Sequence, residues 1–437
     1  MDKYSEIRVP ISHDNPSIMR KESRCVLCGK CKDVCKKQMG VAGYWKYDSE
    51  DIVCINCGQC ANVCPVESIT ERDDSEQFLT AVADPKKKVI VMTSPATRVS
   101  LGEMFDQPAG TFVAGKMVEL LRRLGADYVF DVAFGADLTV MEEASELIDR
   151  IKTGGVMPQF TSCCPAWVKF VETFYPKYIP NLSSCRSPIA MQASVIKNYF
   201  STKLGVDPSD LFITAITPCV AKKFEAKREE LRSFYGKDTD CVLTVREIGR
   251  LAKRKKVNFK TLKESDFDSE FPTGSGAGVI FGASGGVMEA VVRTAYYFTT
   301  NQLPPSDLLN FKTLRGYKGV KTAKVNLLGR EIKLCVVFGT MNARAILDKL
   351  KSKKIDMLEV MACPNGCVGG GGQPKQTNND DAVVKRAGNL FNYDAQAKVR
   401  SSYENPQIQK LYKEYLLSPL SEKAKKYLHT TFRPREK

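Results

Sequence analysis

Two cysteine runs near the N-terminus constrain this chain more than any other feature. Cys25-x-x-Cys28-x-x-Cys31-x-x-x-Cys35 is followed by Cys54-x-x-Cys57-x-x-Cys60-x-x-x-Cys64-Pro65. Two-residue gaps let one tight loop set three thiolates around a cube while its backbone N–H groups face the sulfides. The fourth cysteine of each such run normally ligates the other cluster. Cys25, Cys28, Cys31 and Cys64 are therefore expected to hold one 4Fe–4S cluster, and Cys54, Cys57, Cys60 and Cys35 a second. Zinc takes four ligands from paired C-x-x-C units and leaves two complete three-plus-one runs unexplained. By themselves the runs say only that electrons pass through.

The rest of the chain changes texture. At 437 residues it is too long for one small core. Residues 1–24 carry little pattern and read as a short lead-in, and 25–71 are cysteine-dense. Residues 72–87 read as a helix ending at a junction, Asp84-Pro85-Lys86. Beyond Val89, short apolar runs suited to buried strands (89–92, 128–130, 211–216, 334–338) alternate with helical patterns at 138–152, 165–174, 246–254, 286–297 and 342–352. That alternation predicts an α/β architecture with parallel sheets in two lobes. Gly329-Arg330 between two strand-like runs predicts a hairpin over 322–338. Residues 394–437 read as polar and helical, broken at Pro406, Pro419 and Pro434.

Sixteen cysteines behind a start with no apolar signal core favour metal binding in a reducing compartment over disulfides, so the expected location is cytoplasmic. No uninterrupted apolar run is long enough to span a bilayer, so no membrane role is expected. The formal charge of +15 falls to roughly +9 if three cubes each carry about −2. The excess is local: Arg20, Lys21, Arg24, Lys30, Lys32, Lys36 and Lys37 stand against only Glu22 and Asp33. Without a recognition module this is not a nucleic-acid surface. It suits an acidic electron carrier, because charge steering raises encounter rates.

Three later motifs carry further thiols: Thr161-Ser162-Cys163-Cys164-Pro165-Ala166-Trp167, Thr217-Pro218-Cys219-Val220-Ala221-Lys222-Lys223-Phe224-Glu225, and Met361-Ala362-Cys363-Pro364-Asn365-Gly366-Cys367 running into Gly369–Gly372. They supply enough thiolates for one more iron–sulfur centre, with a spare thiol, a lysine and a glutamate beside it. Cys164, Cys219 and Cys363 each follow a strand-like run, and groups at the carboxyl ends of strands converge in the crevice of an α/β sheet. The glycine run is expected to allow close backbone approach to a bulky cofactor. It is not a phosphate loop, since no Gly-Lys-Ser/Thr follows. Glu143 and Glu146, three apart on a helix, share a face and on that pattern alone read as solvated carboxylates. Lys223 reads as a solvent charge. Cys241 and Cys335 read as core residues, Cys185 as a packing residue near Ser183, and His13 and His429 lie in no metal-ligand pattern.

Taken together, the cysteine runs, the three motifs, Phe134–Glu146 and Phe281–Ala290 resemble the iron-only (FeFe) hydrogenases, in the short form with two ferredoxin-type clusters. The resemblance covers essentially everything from residue 25 onward. It implies a ferredoxin-like α+β two-cluster domain at 1–85, a two-lobed α/β catalytic domain at 86–375, and a C-terminal helical segment at 376–437 like the hydrogenase small subunit. The implied centre joins a third 4Fe–4S cube, on Cys164, Cys219, Cys363 and Cys367, to a di-iron unit carrying CO, CN and a bridging dithiolate. Cys367 would also bridge to that unit. The resemblance makes Cys163 the last protein carrier of a proton relay that continues through Glu143, Ser183 and Glu146. It sets Lys222 against a cyanide ligand and puts Ser94, Pro95, Thr217 and Met361 around the cofactor.

Several residues depart from the common pattern: Thr217 for methionine, Ser94 for alanine, Ala166 for glycine, Ile189 for glutamine and Asn365 for glycine. The implied activity is reversible reduction of protons to dihydrogen. Electrons would come from ferredoxin or flavodoxin, and dedicated maturation proteins would build the centre. The rival implications are a cytosolic iron–sulfur assembly factor, a non-enzymatic cluster carrier, and a sensory hydrogenase.

Overall fold

Two four-stranded sheets organise the middle of the chain. In the first, Lys88–Thr93 pairs in parallel with Tyr128–Asp131 on one side and Leu211–Thr217 on the other, and Leu211–Thr217 pairs with Cys241–Thr244. The strands are apolar on both faces because both are covered. Val89, Val91 and Leu243 pack with Met117, Ile248 and Leu251, whereas Ile90, Met92 and Val242 pack with Leu138 and Met191. The computed structural model describes residues 4–44, 52–271, 273–375 and 380–435. The chain start Met1–Lys3 and the expected boundary at 376 lie outside the described residues.

The second sheet is mixed rather than purely parallel. Gln159–Phe160, Met357–Met361 and Arg330–Phe338 run parallel, and Val320–Leu327 closes the edge as the antiparallel arm of the expected hairpin. Helix Val132–Thr153 lies between the sheets and is buried along most of its length. Asp131 caps it, accepting from the Ala133 amide at 2.8 Å, and Gly154 ends it in the left-handed region at φ 74°. Phe134 and Leu138 of this helix join the core of the first lobe, while Val140 and Leu147 join the core of the second. Its carboxylates therefore sit at the seam.

Glu359 fixes part of that seam. From the middle of strand Met357–Met361 its buried carboxylate accepts from the amides of Gly285 (2.6 Å) and Met288 (2.7 Å), at the start of helix Gly286–Thr300. Glu359→Ala strands two buried donors and removes an anion from a helix N-terminus. It is expected to destabilise the fold by about 2–4 kcal/mol, with Glu359→Gln losing less. Anaerobic thermal unfolding checks this, and an unchanged midpoint for Glu359→Ala would refute the anchoring role.

Two expectations are corrected here. The lead-in is structured: Ile18–Arg20 pairs antiparallel with Ile69–Glu71 and so closes the cysteine-dense unit on itself. A three-residue strand is too short to announce itself in the sequence. The C-terminal segment is amphipathic rather than simply polar, with Ile408, Leu411, Tyr412, Leu416 and Leu428 buried against the first lobe. The break at Pro406 is a helix start: it opens helix Pro406–Leu411 behind an Asn405 cap.

Candidate active site

The structure brings the first two cysteine sets together in a crossed grouping. Cys25, Cys28, Cys31 and Cys64 line one cavity, with Arg8 and Arg20 beside them. Cys35, Cys54, Cys57 and Cys60 line a second. The left-handed backbone of Gly29 (φ 75°) and Gly58 (φ 73°) turns each loop back over its own thiols. Cys31 lies near enough to Cys35 and Cys60 to raise their thiol pKa values, so the two sets adjoin.

Cys164, Cys219, Cys363 and Cys367 form a third set. Burial pushes their thiols up, and Cys219, Cys363 and Cys367 are each raised further by Cys164 and one other thiol of the set. Cys363 reaches about 12. Four such thiolates cannot share one buried place without cationic metal between them. The donor set holds no histidine and no carboxylate, which suits an iron–sulfur cube. Cys164 caps helix Pro165–Phe174, its sulfur accepting from the Ala362 amide at 3.5 Å, which ties the first motif to the third. Cys363 faces the ferredoxin-like unit: it is among the groups that raise Cys57, and the Gln59 amide bonds Gly369 O at 2.9 Å.

The glycine run packs tightly at that junction. A Cβ on Gly369 would meet Pro364 O at 2.1 Å, on Gly370 Pro218 O at 2.5 Å, and on Gly371 Cys57 O at 2.3 Å. The run lets three backbone segments touch. Arg246 clamps it, donating to Gly371 O and Gln373 O at 2.6 Å each and pairing with Glu71. Lys223 is likewise no solvent charge. Its buried ammonium meets Glu247 at 2.9 Å and Asp74, joining the two units.

Beyond the third set opens a cavity. Cys164, Cys219 and Cys367 form one end of its lining. Ser94, Pro95, Cys163, Thr217, Lys222 and Met361 contribute to the remainder, among otherwise apolar side chains including Ile189. Burial alone would lower the Lys222 ammonium, but Glu225, 2.7 Å away, and the Cys219 thiol outweigh it and leave it raised. It therefore stays charged inside an apolar chamber, positioned for an anionic ligand. The Thr217 hydroxyl accepts from the Cys219 amide at 3.3 Å, while Ser94 makes no side-chain cap to the turn that follows it. Asn365 stands at φ 55°, the left-handed backbone its replacement of glycine requires.

Glu143 is buried, not solvated, and neither of its oxygens has a hydrogen-bond partner, although the Ser162 amide lies close enough to favour its charged form. Burial, then Glu146, pushes its carboxyl up to about 8. Cys163 is raised well above an ordinary thiol by burial and by Glu143. Further along the helix Glu146 accepts from Ser183 Oγ at 2.6 Å and pairs with Arg150 at 2.7 Å. Arg150, whose side chain is 13% exposed, brings this line of groups to the surface. The sequence reading missed Arg150, although its i+4 spacing from Glu146 marks it.

Parallel α/β lobes closing on a thiol-lined chamber, with two cysteine quartets in series behind it, define an iron–sulfur redox protein. The chain belongs to the iron-only hydrogenase family. Residues 87–371 match the family described as iron only hydrogenase large subunit, C-terminal domain, and residues 380–435 match iron hydrogenase small subunit. The NADP-reducing hydrogenase subunit HndD of Solidesulfovibrio fructosivorans is 39% identical over 96% of this chain and 75% of its own length. Iron hydrogenase 1 of Clostridium pasteurianum is 37% identical over 97% and 77%. The apo structure of [FeFe]-hydrogenase HydA1 from Chlamydomonas reinhardtii superposes with a TM-score of 0.73 at 35% identity, covering 83% of this chain and 99% of that one. Protein NAR1 of Arabidopsis thaliana is also similar, 31% identical over 83% of this chain and 81% of its own. Among the described residues no helix is long and apolar enough to cross a membrane.

Proposed function

We propose that this chain is a hydrogenase that interconverts two protons and two electrons with dihydrogen, using three 4Fe–4S cubes and a di-iron unit with CO, CN and a dithiolate. Cys164, Cys219, Cys363 and Cys367 would hold the third cube, and Ser94, Pro95, Lys222 and Met361 would surround the di-iron unit. When bound, that unit supplies the two-electron chemistry of the H–H bond. The protein's part is to carry electrons and protons to it and to keep water out.

The observation that carries this reading is the buried line from the chamber outward: Cys163, Glu143, Glu146 with Ser183, then Arg150. A protein that only carries cubes has no need of a thiol and two carboxyls aligned away from its metal. Electrons would follow a separate line, from the Cys25 quartet through the Cys35 quartet to Cys363, which lies near enough to raise the Cys57 thiol. Hydrogen evolution from reduced methyl viologen by the matured protein, followed by gas chromatography, tests the activity; matured protein with full iron and no evolution would refute it. The similarity to NAR1 keeps the cluster-carrier reading as the alternative, and Ser94 and Thr217 keep the sensory one.

Glu143 sets a pH dependence. With its carboxyl near 8, it carries a proton at neutral pH that it can pass to Cys163, and it loses that proton as pH rises. Proton reduction should therefore decline as pH rises through about 8. Glu143→Gln, with nothing to titrate there, should lose both the decline and most of the rate. A profile that stays flat through that range in the unaltered protein would count against the assignment.

Lys21, Arg24, Lys30, Lys36 and Lys37 are exposed around Cys28, itself exposed. This surface would receive an acidic carrier such as ferredoxin or flavodoxin. Raising ionic strength from about 0.01 to 0.15 M shortens the screening length from roughly 30 to 8 Å. Turnover driven by such a carrier at limiting concentration should fall about tenfold, while turnover driven by methyl viologen, a small cation, should not. Equal salt responses would exclude docking at this face.

A further inference from the structure

We propose that Glu146, Cys185 and His429 form a binding site for a divalent transition-metal ion of the zinc class, and that its occupation stops proton traffic at Glu146. The effect on turnover rests on the hydrogenase reading; the site does not. One ligand atom from each of the three buried residues lies within 4.8 Å of the other two. Arg150 occupies Oε1 of Glu146, so Oε2 is the oxygen that faces the group, 3.8 Å from Cys185 Sγ.

The histidine is prepared in the way metal-binding histidines are. His429 Nε2 lies 2.9 Å from Oε2 of Glu142, a carboxylate that also accepts from the Leu420 amide at 2.8 Å and from Tyr412 OH. That carboxylate fixes the ring proton on Nε2 and leaves the Nδ1 lone pair for a ligand. The result is a carboxylate–histidine–metal arrangement with its outer carboxylate already in place. Nδ1 now accepts from the Ser184 hydroxyl at 2.8 Å, a group free to rotate away.

The backbone holds the two sides in register. Cys185 and His429 form an antiparallel bridge, flanked by Arg186 N to Leu428 O and Thr430 N to Ser184 O, each at 2.8 Å. One sulfur, one nitrogen and one carboxylate oxygen, with a fourth position open to water, suit zinc. On binding, the Cys185 S–H bond breaks, its proton leaves to solvent and a metal–sulfur bond forms, with no change of oxidation state. The thiolate, Glu146 and Glu142 then balance the ion and Arg150. Glu146 and His429 are 8% and 9% exposed, one layer below solvent, so an ion has a short way in.

The experiment uses the cluster-loaded, matured protein with one equivalent of zinc chloride in a non-chelating buffer. Zinc K-edge absorption should report a single sulfur neighbour at about 2.3 Å, and turnover should fall and recover on adding a chelator. In Cys185→Ala, which leaves the proposed relay intact, the sulfur neighbour should vanish and half-inhibition should need at least about tenfold more zinc. His429→Gln should weaken binding similarly. A zinc sphere without sulfur, or equal inhibition of Cys185→Ala and the unaltered protein, would overturn the proposal. If the protein shows no turnover even without zinc, the hydrogenase reading has failed, and the absorption spectrum decides the site alone.

Discussion

Cys163→Ala should lower turnover by about 10²- to 10⁴-fold, the usual contribution of a positioned proton carrier, while iron content stays unchanged. Cys163 lies 8% exposed on the chamber wall, between Glu143 and the third cysteine set. It is the one thiol there that a four-coordinate cube leaves over. Alanine removes the S–H group and little volume, so the neighbouring strand ends should hold their places and the centre should still assemble. Cys163→Ser refines the test. A hydroxyl fills nearly the same space but gives up its proton far less readily than a thiol, so it should remain nearly as slow as alanine. Hydrogen evolution and oxidation, each normalised to iron, measure both variants. Near-normal turnover in Cys163→Ala would remove the relay assignment.

Cys164→Ala, one residue along, should do the opposite to the metal. Cys164 belongs to the set whose thiols act on one another, and its sulfur is fixed by the Ala362 amide. Losing one of four proposed cube ligands removes the third cube and with it the di-iron unit. Iron should fall from about 14 to about 8 per chain, with the two ferredoxin-type clusters kept, and turnover should disappear. Iron analysis with electron paramagnetic resonance of the reduced protein checks this. A variant retaining the full complement would mean that Cys164 is no ligand. The opposite fates expected for adjacent cysteines follow from where each points: Cys163 toward a carboxyl, Cys164 toward three thiols.

Much of this was readable in the chain because metal ligation leaves spacing. The cysteine runs, the strand-end motifs and the 3.6-residue face shared by Glu143 and Glu146 are local patterns, and each reappears in the structure. What escaped depends on contacts between distant segments. Lys223 looks like any lysine until Asp74 and Glu247 arrive from elsewhere. Gly369–Gly372 signal close approach, but only the fold shows that the approaching groups are the backbones of Pro364, Pro218 and Cys57–Gly58. The partners of the His429 ring, Glu142 and Ser184, are more than two hundred residues away in sequence. The Ile18–Arg20 strand exists because Ile69–Glu71 offers it an edge.

These distant contacts also divide the traffic. Electrons would enter through the basic face around Cys28 and leave the ferredoxin-like unit on the Cys57 side, toward Cys363. Protons would enter near Arg150 and reach Cys163 along helix Val132–Thr153. The two lines would meet at the thiol-lined chamber, where Lys222 supplies a balancing charge. Ser94 and Thr217 add hydroxyls at this meeting point, and the Thr217 oxygen accepts from the Cys219 amide.

The proposed function requires a di-iron unit bearing carbonyl and cyanide in the chamber, held beside the third cube and serviced by Cys163. An infrared spectrum of protein matured with its dedicated assembly enzymes tests it most directly. Sharp bands in the metal-carbonyl and cyanide region, persisting in Cys163→Ala and absent from Cys164→Ala, are the predicted result. A matured protein with its cubes in place and no such bands would contradict the account and make the chain a carrier of iron–sulfur clusters.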